Sequence, residues 1–254
     1  MASFDLRGKS AVVTGGNGGI GLGMAKGLAE AGANIAVAAR NQTKSQTAVA
    51  ELKSFGVDAI ALTLDVNSED ACHDVINQAA KKFGSIDILI NNAGTNIRKN
   101  PEELSLSEWH TVLDTNLTSA FICSQAVYPH MCKAGGGKII NIGSMMSIFG
   151  APFTTAYAAS KGGIVQMTKA MATAWAKDKI QVNSVLPGWI NTELTQIGRQ
   201  QIDGLHERVL DRTPAGRWGE PEDMAGIAVF LASQASDFLT GTAIPLDGGF
   251  SVQI

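Results

Sequence analysis

Two kinds of hydrophobic pattern alternate along the chain. Seven short runs are apolar and rich in β-branched residues, at positions 10–14, 34–38, 59–63, 86–91, 137–142, 180–186 and 243–246. Between them, apolar residues recur at helical spacing over positions 19–30, 43–55, 68–83, 106–132, 155–175 and 222–232. Strands that alternate with helices at this spacing form βαβ units. The pattern predicts one α/β domain over residues 1–254, a doubly wound parallel sheet of about seven strands with helices on both faces.

Glycine and polar residues follow the ends of six predicted strands. They occupy positions 14–21, 39–40, 65–66, 91–94, 143–144 and 187–188. In an open parallel sheet, ligands bind beyond the carboxyl ends of the strands. We therefore expect residues that are far apart in sequence to meet at one edge of the sheet and to form a binding site there.

The first cluster, Thr14-Gly-Gly-Asn-Gly-Gly-Ile-Gly21, connects the first strand to the first helix. Glycines permit a tight turn and bring backbone N–H groups close to a pyrophosphate, which the helix N-terminus also attracts. This placement predicts a dinucleotide site in a Rossmann-type sheet. The candidate ligands in the loop are Gly15, Asn17, Gly18, Gly19, Ile20 and Gly21.

Arg40 follows the second strand, where a site for NAD usually carries an acidic residue that binds the ribose 2′-hydroxyl. A guanidinium at this point suits the additional 2′-phosphate of NADP. The alternative is a surface arginine at the end of a strand, and no basic residue directly precedes Gly19 to reinforce a phosphate site. The sequence favours NADP as the cofactor, with NAD possible.

Two further strand ends complete the predicted cofactor site. Asp65 follows the third strand and could accept a hydrogen bond from the adenine amino group. Asn91-Asn-Ala-Gly94 ends the fourth strand, where small residues leave room beside the adenine ribose; a turn that ends the strand is the alternative. The candidates here are Asp65, Val66, Asn92, Ala93 and Gly94.

Composition argues against several classes of function. Hydrophobic residues make up 45% and charged residues 17% of the chain, as in an ordinary globular protein. A net charge of -3 without a basic run argues against nucleic-acid binding. We expect no metal site, because the His and Cys residues lack ligand spacing, and no signal peptide or membrane-spanning stretch. Three cysteines without a CxxC pair suggest free thiols and a cytoplasmic protein.

Tyr157 and Lys161 lie four residues apart, which places both on one face of a helix. The usual pKa of tyrosine, about 10, is too high for acid–base chemistry at neutral pH, and a positive charge beside the phenol lowers it. Ser144, on another segment, could hold the oxygen that gains or loses the proton. The alternative is a half-buried tyrosine with a solvated lysine nearby.

These motifs together resemble those of the short-chain dehydrogenase/reductase family. The resemblance covers essentially the whole chain, and the matching positions are Thr14-Gly15-x-x-x-Gly19-x-Gly21, Asp65, Asn91-Asn92-Ala93-Gly94, Asn116, Ser144, Tyr157-x-x-x-Lys161, Asn183, Pro187-Gly188 and Asp247-Gly248-Gly249. It implies hydride transfer between a nicotinamide and a secondary alcohol or ketone. It also implies that the chain forms a homotetramer.

The resemblance assigns roles to single residues. It implies that Tyr157 is the general acid/base, that Lys161 binds the nicotinamide ribose and lowers the pKa of Tyr157, and that Ser144 positions and polarises the substrate oxygen. Asn116 would anchor a water in the proton relay. The alternative is that Asn116 is a polar helix residue whose side chain bonds to the backbone. The residues implied to embrace the nicotinamide and its phosphate are Pro187, Gly188, Ile190 and Thr192.

Substrate candidates lie on three segments, at 95–99, 145–153 and 189–211. Arg98 and Lys99 could contact a carboxylate or sugar hydroxyls, or belong to a solvated loop. The stretches 91–99 and 138–147 resemble bacterial gluconate 5-dehydrogenases and 2-deoxy-gluconate 3-dehydrogenases and suggest a sugar acid or polyol. The Met and Phe side chains of 145–153 could instead line a pocket for a cyclic alcohol or ketone, or belong to the core. The substrate candidates are Asn96, Arg98, Ser144, Met146, Phe153 and Trp189.

Positions 196–211 are polar and weakly patterned, and they predict a mobile lid within 189–211 that closes over the substrate; an ordinary surface helix is the alternative. Two other functions stay open. A 3-oxoacyl-carrier-protein reductase would use the same machinery, with basic residues near the cleft binding a phosphopantetheine carrier. A nucleotide-binding protein without catalysis is disfavoured, because Ser144, Tyr157 and Lys161 are all present.

Overall fold

A seven-stranded parallel sheet forms the centre of the computed structural model, which describes residues 2–253. The strands are β1 (Ser10–Thr14), β2 (Asn34–Ala39), β3 (Ala59–Thr63), β4 (Ile88–Asn91), β5 (Gly137–Ile142), β6 (Ile180–Pro187) and β7 (Ala243–Leu246). Their order is β3-β2-β1-β4-β5-β6-β7, and all neighbours are parallel. The predicted doubly wound fold is confirmed, and the predicted strand bounds agree to within two residues.

Helices cover both faces of this sheet. They are α1 (Gly19–Glu30), α2 (Gln42–Lys53), α3 (Glu69–Phe83), α4 (Leu106–Leu113), α5 (Ser119–Ala134), α6 (Thr155–Trp175), α7 (Glu193–Gln201), α8 (Leu205–Arg212) and α9 (Ala225–Ala232). Alternate residues of β1 point to opposite faces: Val13 lies in the same core cluster as Leu28 of α1, whereas Val12 lies in the cluster that contains Val127 of α5. Among residues 2–253, no helix combines the length and the apolarity needed to cross a membrane.

The strand order reverses at β1, which lies between β2 and β4. Thr14, the last residue of β1, is in register with Ala38 on one side and with Asn91 on the other. The chain leaves these three neighbouring strands in the same direction. The glycine loop, Arg40 and the Asn-Asn-Ala-Gly turn therefore meet at one edge of the sheet, as the sequence predicts.

One predicted helix is interrupted in the structure. The pattern predicts a continuous helix over 106–132, but α4 and α5 are separated by a π-helical turn, Asp114–Thr118. Asn116 in this turn is buried, and its amide bonds to the loop after β4. Helical periodicity cannot reveal such a turn, because the bonds that accompany it come from a distant segment. One-residue insertions of this kind are frequent at functional sites.

The segment predicted as a lid forms two short helices, α7 and α8. Its apolar residues are few but correctly spaced: Leu205 and Val209 lie four apart and pack on Trp218 in a small separate cluster. The weak pattern therefore reflects the small apolar side of α8, and the mobility of the lid stays a prediction.

Candidate active site

The glycine loop is held in place by the turn after β4. The Thr14 hydroxyl accepts hydrogen bonds from the N–H groups of Asn92 (3.0 Å) and Ala93 (3.1 Å). In return, Asn92 Nδ2 donates to the carbonyls of Thr14 (3.0 Å) and Gly15 (3.1 Å). Gly15 has a φ of 64°, which favours glycine. A Cβ on Gly21 would lie 2.4 Å from Asn92 Nδ2, so Gly21 is required for this close packing.

The N-terminus of α1 is free to bind an anion. Gly18 precedes the helix, and no side chain of the described residues caps the first turn. The first N–H groups of a helix have no partner within the helix, and they carry partial positive charge. The loop thus fits the pyrophosphate of a dinucleotide, as predicted.

A cleft with about 410 Å³ of free volume runs from this loop to Ser144, Tyr157 and Lys161. Most of the predicted cofactor residues line it, namely Gly15, Asn17, Gly18, Gly19, Ile20, Arg40, Asn92, Ala93, Gly94, Pro187, Gly188, Ile190 and Thr192. A neighbouring cavity of about 420 Å³ is bordered by Arg40, Asp65 and Val66. The two spaces share Gly15, Asn17 and Arg40 in their lining and together extend from Asp65 to Tyr157, which suits a dinucleotide. A Cβ on Gly94 would point toward Asn116 Oδ1 at 3.3 Å and Lys161 Nζ at 3.7 Å, so the glycine keeps this part of the cleft open.

Ser144 and Lys161 are fixed relative to each other by one hydroxyl group. Ser147 Oγ donates to the Lys161 carbonyl (2.8 Å) in α6 and accepts from the Ser144 N–H (3.1 Å). Lys161 Nζ donates to the Ile142 carbonyl at the end of β5 (2.7 Å) and lies 5.7 Å from the centre of the Tyr157 ring. An ammonium has three protons to donate, so two remain for a ligand.

The pKa of Tyr157 differs from the expectation. Loss of solvation has the largest effect and raises the pKa of the phenol above its usual value, while a hydrogen bond with Ser144 and the charge of Arg98 act in the opposite direction. Burial also lowers the pKa of Lys161 to about 8. Arg98 is thus a cation that acts on the phenol, while Lys161 Nζ donates to the Ile142 carbonyl.

Asn116 connects three segments around the site. Its Oδ1 accepts from the Thr95 N–H (2.7 Å), and its Nδ2 donates to the Thr95 carbonyl (2.9 Å) and to Ser160 Oγ (3.0 Å) in α6. These contacts tie the loop after β4 to the helix that carries Tyr157. The side chain is therefore a positioning group, and its predicted role in a water relay stays a prediction.

The predicted substrate residues do not all lie together. Ser144 lines the cleft. Arg98 acts on Tyr157 and donates to Gln201 of α7 (3.3 Å), and Asn96 has a buried amide oxygen without a partner among the described residues.

The remaining three candidates do not line the cleft. Met146 Sδ accepts from the Thr154 hydroxyl at 3.6 Å, and Trp189 packs edge-on against Trp218 at 5.5 Å between ring centres. Met146, Phe153 and Trp189 are absent from the residues that line the cleft.

The structure adds two residues that the sequence did not single out. Lys44 of α2 and Glu193, the first residue of α7, line the cleft together with Arg40. Their positions relative to the glycine loop depend on how α2 and α7 pack, so no local motif indicates them.

Comparison with known proteins identifies the family of this chain. A family model described as enoyl-(acyl carrier protein) reductase matches residues 15–251. Curated relatives about 40% identical match nearly the entire chain. With its parallel sheet, glycine loop and Ser144, Tyr157 and Lys161, the chain belongs to the short-chain dehydrogenase/reductase family, which confirms the resemblance of its motifs.

Within the family, three similar proteins are named as enzymes that act on sugar acids. A 2-dehydro-3-deoxy-D-gluconate 5-dehydrogenase of Formosa agariphila is 42% identical over 99% of this chain and 96% of the relative. A gluconate 5-dehydrogenase of Gluconobacter oxydans is 40% identical over 99% of this chain and 98% of the relative. The crystal structure of a gluconate 5-dehydrogenase from Burkholderia cenocepacia, in complex with NADP and tartrate, is 39% identical, covers 100% of this chain and 99% of that chain, and has a TM-score of 0.94.

Proposed function

We propose that this chain is an NADP-preferring oxidoreductase that interconverts a secondary alcohol and a ketone on a sugar acid. The observation that carries the proposal is the continuous cleft that joins the glycine loop to Ser144, Tyr157 and Lys161. A dinucleotide bound at the loop would extend toward these three side chains, which are the groups that alcohol–carbonyl chemistry needs.

The residues present suit a nicotinamide dinucleotide. The glycine loop and the free N-terminus of α1 would hold the pyrophosphate, and the exposed Arg40 would bind the 2′-phosphate. Asp65 and Val66, which border one space, would lie at the adenine end, and the residues of 187–192 that line the cleft would lie at the nicotinamide end. When bound, the nicotinamide supplies or accepts the hydride.

The chain's own residues would move the proton. Tyr157 donates its phenolic proton to the carbonyl oxygen of the substrate, or accepts a proton from the alcohol in the reverse direction. Ser144 holds the same oxygen by a hydrogen bond and stabilises the charge that develops there. Lys161 has donors left for the ribose hydroxyls, and a charged Lys161 near the phenol would favour the phenolate.

Arg98 supports a sugar acid as substrate. It is half-buried, acts on Tyr157 and is held by Gln201 of α7. A guanidinium binds a carboxylate through two parallel hydrogen bonds, so it would fix the acid end of a substrate whose alcohol carbon faces Tyr157. The names of the relatives, and the tartrate in the Burkholderia structure, agree with an acidic polyol.

We propose that the chain forms a cytoplasmic homotetramer whose lid, α7 and α8, covers the substrate. Phe121 on α5 is 47% exposed, and Leu106 at the start of α4 is 70% exposed, which suits contacts between copies through these helices. The free thiols of the three cysteines suit a reducing compartment. Sedimentation analysis gives four times the chain mass if the assembly is correct.

The mechanism is tested by Tyr157→Phe, which keeps the ring and removes the transferable proton. We expect turnover to fall at least about 1,000-fold, in line with the loss of an acid–base group, while NADPH binding changes little. Unchanged activity of this variant would show that Tyr157 is not the acid/base.

The substrate class is tested by assaying gluconate, 5-ketogluconate, neutral polyols and an acetoacetyl thioester with both cofactors. We expect activity on the sugar acids, and a loss of this activity in Arg98→Gln through a raised KM. Activity on the thioester with none on the sugar acids would favour the acyl-carrier-protein reductase instead.

A further inference from the structure

A lysine occupies the place where the glycine loop lacks a basic residue. No Lys or Arg directly precedes Gly19 in the sequence. Lys44, however, extends from α2 to the loop: a Cβ on Gly18 would lie 2.9 Å from both Cε and Nζ of Lys44. The missing side chain of Gly18 therefore makes room for an ammonium group supplied by another helix.

The loop and α2 are bonded to each other near this contact. Asn17 Nδ2 donates to Ser45 Oγ at 3.1 Å and to the Asn41 carbonyl at 3.4 Å. The Asn41 side chain accepts from the Lys44 N–H at 3.0 Å and caps the first turn of α2. Because these bonds fix the start of α2 against the loop, the position of Lys44 is built into the fold.

Lys44 is paired with a carboxylate from the opposite side of the cleft. Its Nζ lies 2.6 Å from Glu193 Oε1, and Glu193 is the first residue of α7. Both residues, like Arg40, line the cleft at the glycine loop and also the neighbouring cavity at Asp65. The ion pair thus crosses the predicted cofactor groove, from the helix that follows Arg40 to the helix that begins the lid.

We infer that Lys44 is a second ligand of the 2′-phosphate of NADP. In the absence of this phosphate, Glu193 forms an ion pair with Lys44, and the bound phosphate replaces the Glu193 carboxylate. The inference rests on the proposed function and concerns a phosphomonoester on the adenosine ribose. Arg40 and Lys44 would bind this group together from the same side of the groove, at the end of β2 and in the first turn of α2.

The charges and the exposure make this exchange favourable. The side chain of Lys44 is 37% exposed and that of Glu193 79%, and ion pairs this open to water contribute little to stability. A phosphomonoester carries nearly two negative charges and three acceptor oxygens, so it binds an ammonium more strongly than one carboxylate does. A dinucleotide without this phosphate cannot compete in the same way, which makes the exchange specific for NADP.

The test compares the dissociation constants of NADPH and NADH, measured by fluorescence titration of each variant. Lys44→Gln should raise the constant for NADPH about tenfold, which corresponds to about 1.4 kcal/mol, and leave that for NADH within about twofold. Lys44→Arg should retain most of the preference. Lys53→Gln removes a charge from the far end of α2, about 13 Å along the helix, and should change neither constant beyond about twofold.

The role of Glu193 is tested in a double-mutant cycle. Glu193→Gln removes the competing carboxylate and should tighten NADPH binding about threefold in the wild-type background, but not in the Lys44→Gln background. Equal tightening in both backgrounds would overturn the assigned competition.

The possible failures are distinguishable. If the wild-type protein binds NADPH no better than NADH, the proposed cofactor preference fails, and this inference fails with it. If the wild type prefers NADPH and Lys44→Gln weakens both cofactors equally, the proposed function stands, and the assignment of Lys44 to the 2′-phosphate is wrong.

Discussion

The buried ammonium of Lys161 should reduce the stability of this protein at neutral pH. Lys161 is 4% exposed, and burial lowers its pKa from the usual 10.5 to about 8. Each unit of pKa corresponds to about 1.4 kcal/mol, so the charged form costs the folded state on the order of 3 kcal/mol below pH 8. We predict that Lys161→Met, which keeps an unbranched chain as far as Cε and removes the charge, lacks this cost.

The pH dependence has a definite sign. The folded-state pKa lies below the unfolded one, so between pH 8 and 10.5 the unfolded chain binds the additional proton. The free energy of unfolding of the wild type should therefore rise relative to that of Lys161→Met, by about 2.5 kcal/mol from pH 7 to pH 10. At pH 7 part of the gain from the substitution is offset, because the Ile142 carbonyl loses a hydrogen bond worth about 1 kcal/mol.

The assay is urea unfolding of both proteins without cofactor, at several pH values from 7 to 10. Other groups that titrate in this range are common to the two proteins and cancel in the difference. Lys169→Met removes an exposed lysine from the same helix and controls for the loss of one charge. A difference between the wild type and Lys161→Met that stays constant with pH would refute the burial argument. A stabilised Lys161→Met without turnover would show that this charge serves chemistry at the expense of stability.

Two further predictions concern packing and a buried charge. Gly23→Ala should destabilise the protein by about 3 kcal/mol in urea unfolding, because the added Cβ would lie 1.9 Å from the Pro221 carbonyl oxygen. Gly226→Ala is the control: this glycine is exposed in a helix and an added Cβ would meet no atom within 4 Å, so the substitution should stabilise the protein by about 0.5 kcal/mol. Asp237→Asn should lower the free energy of unfolding by about 1–2 kcal/mol, because it weakens the 2.7 Å contact of the buried Lys138. Equal effects of the two glycine substitutions, or an unchanged stability of Asp237→Asn, would contradict these arguments.

Much of the site could be predicted from the order of the elements. Strand–helix alternation implies a parallel sheet, and the carboxyl ends of parallel strands meet at one edge. For this reason the glycine loop, Arg40, Asp65 and the turn at 91–94 could be assigned to one cofactor site from sequence. Tyr157 and Lys161 could be paired because a helix places residues four apart on one face.

The remaining features depend on contacts between segments that are distant in sequence. The π-helical turn at Asn116 accompanies bonds to Thr95 and Ser160, which no periodic pattern contains. The charge of Arg98 acts to lower the pKa of Tyr157, an influence that the sequence pattern does not indicate.

The sequence by itself determined the class of fold, and it predicted the cofactor loop and the candidate catalytic residues, because these follow from local patterns and from the direction of the strands. Only the tertiary structure decided which charges surround them. It places Lys44 in the space left by Gly18 and Glu193 across the groove, so that a basic group absent from the loop is supplied by a helix packed beside it. Electrostatic interactions depend on distance in space, and the packing of helices on the sheet sets those distances.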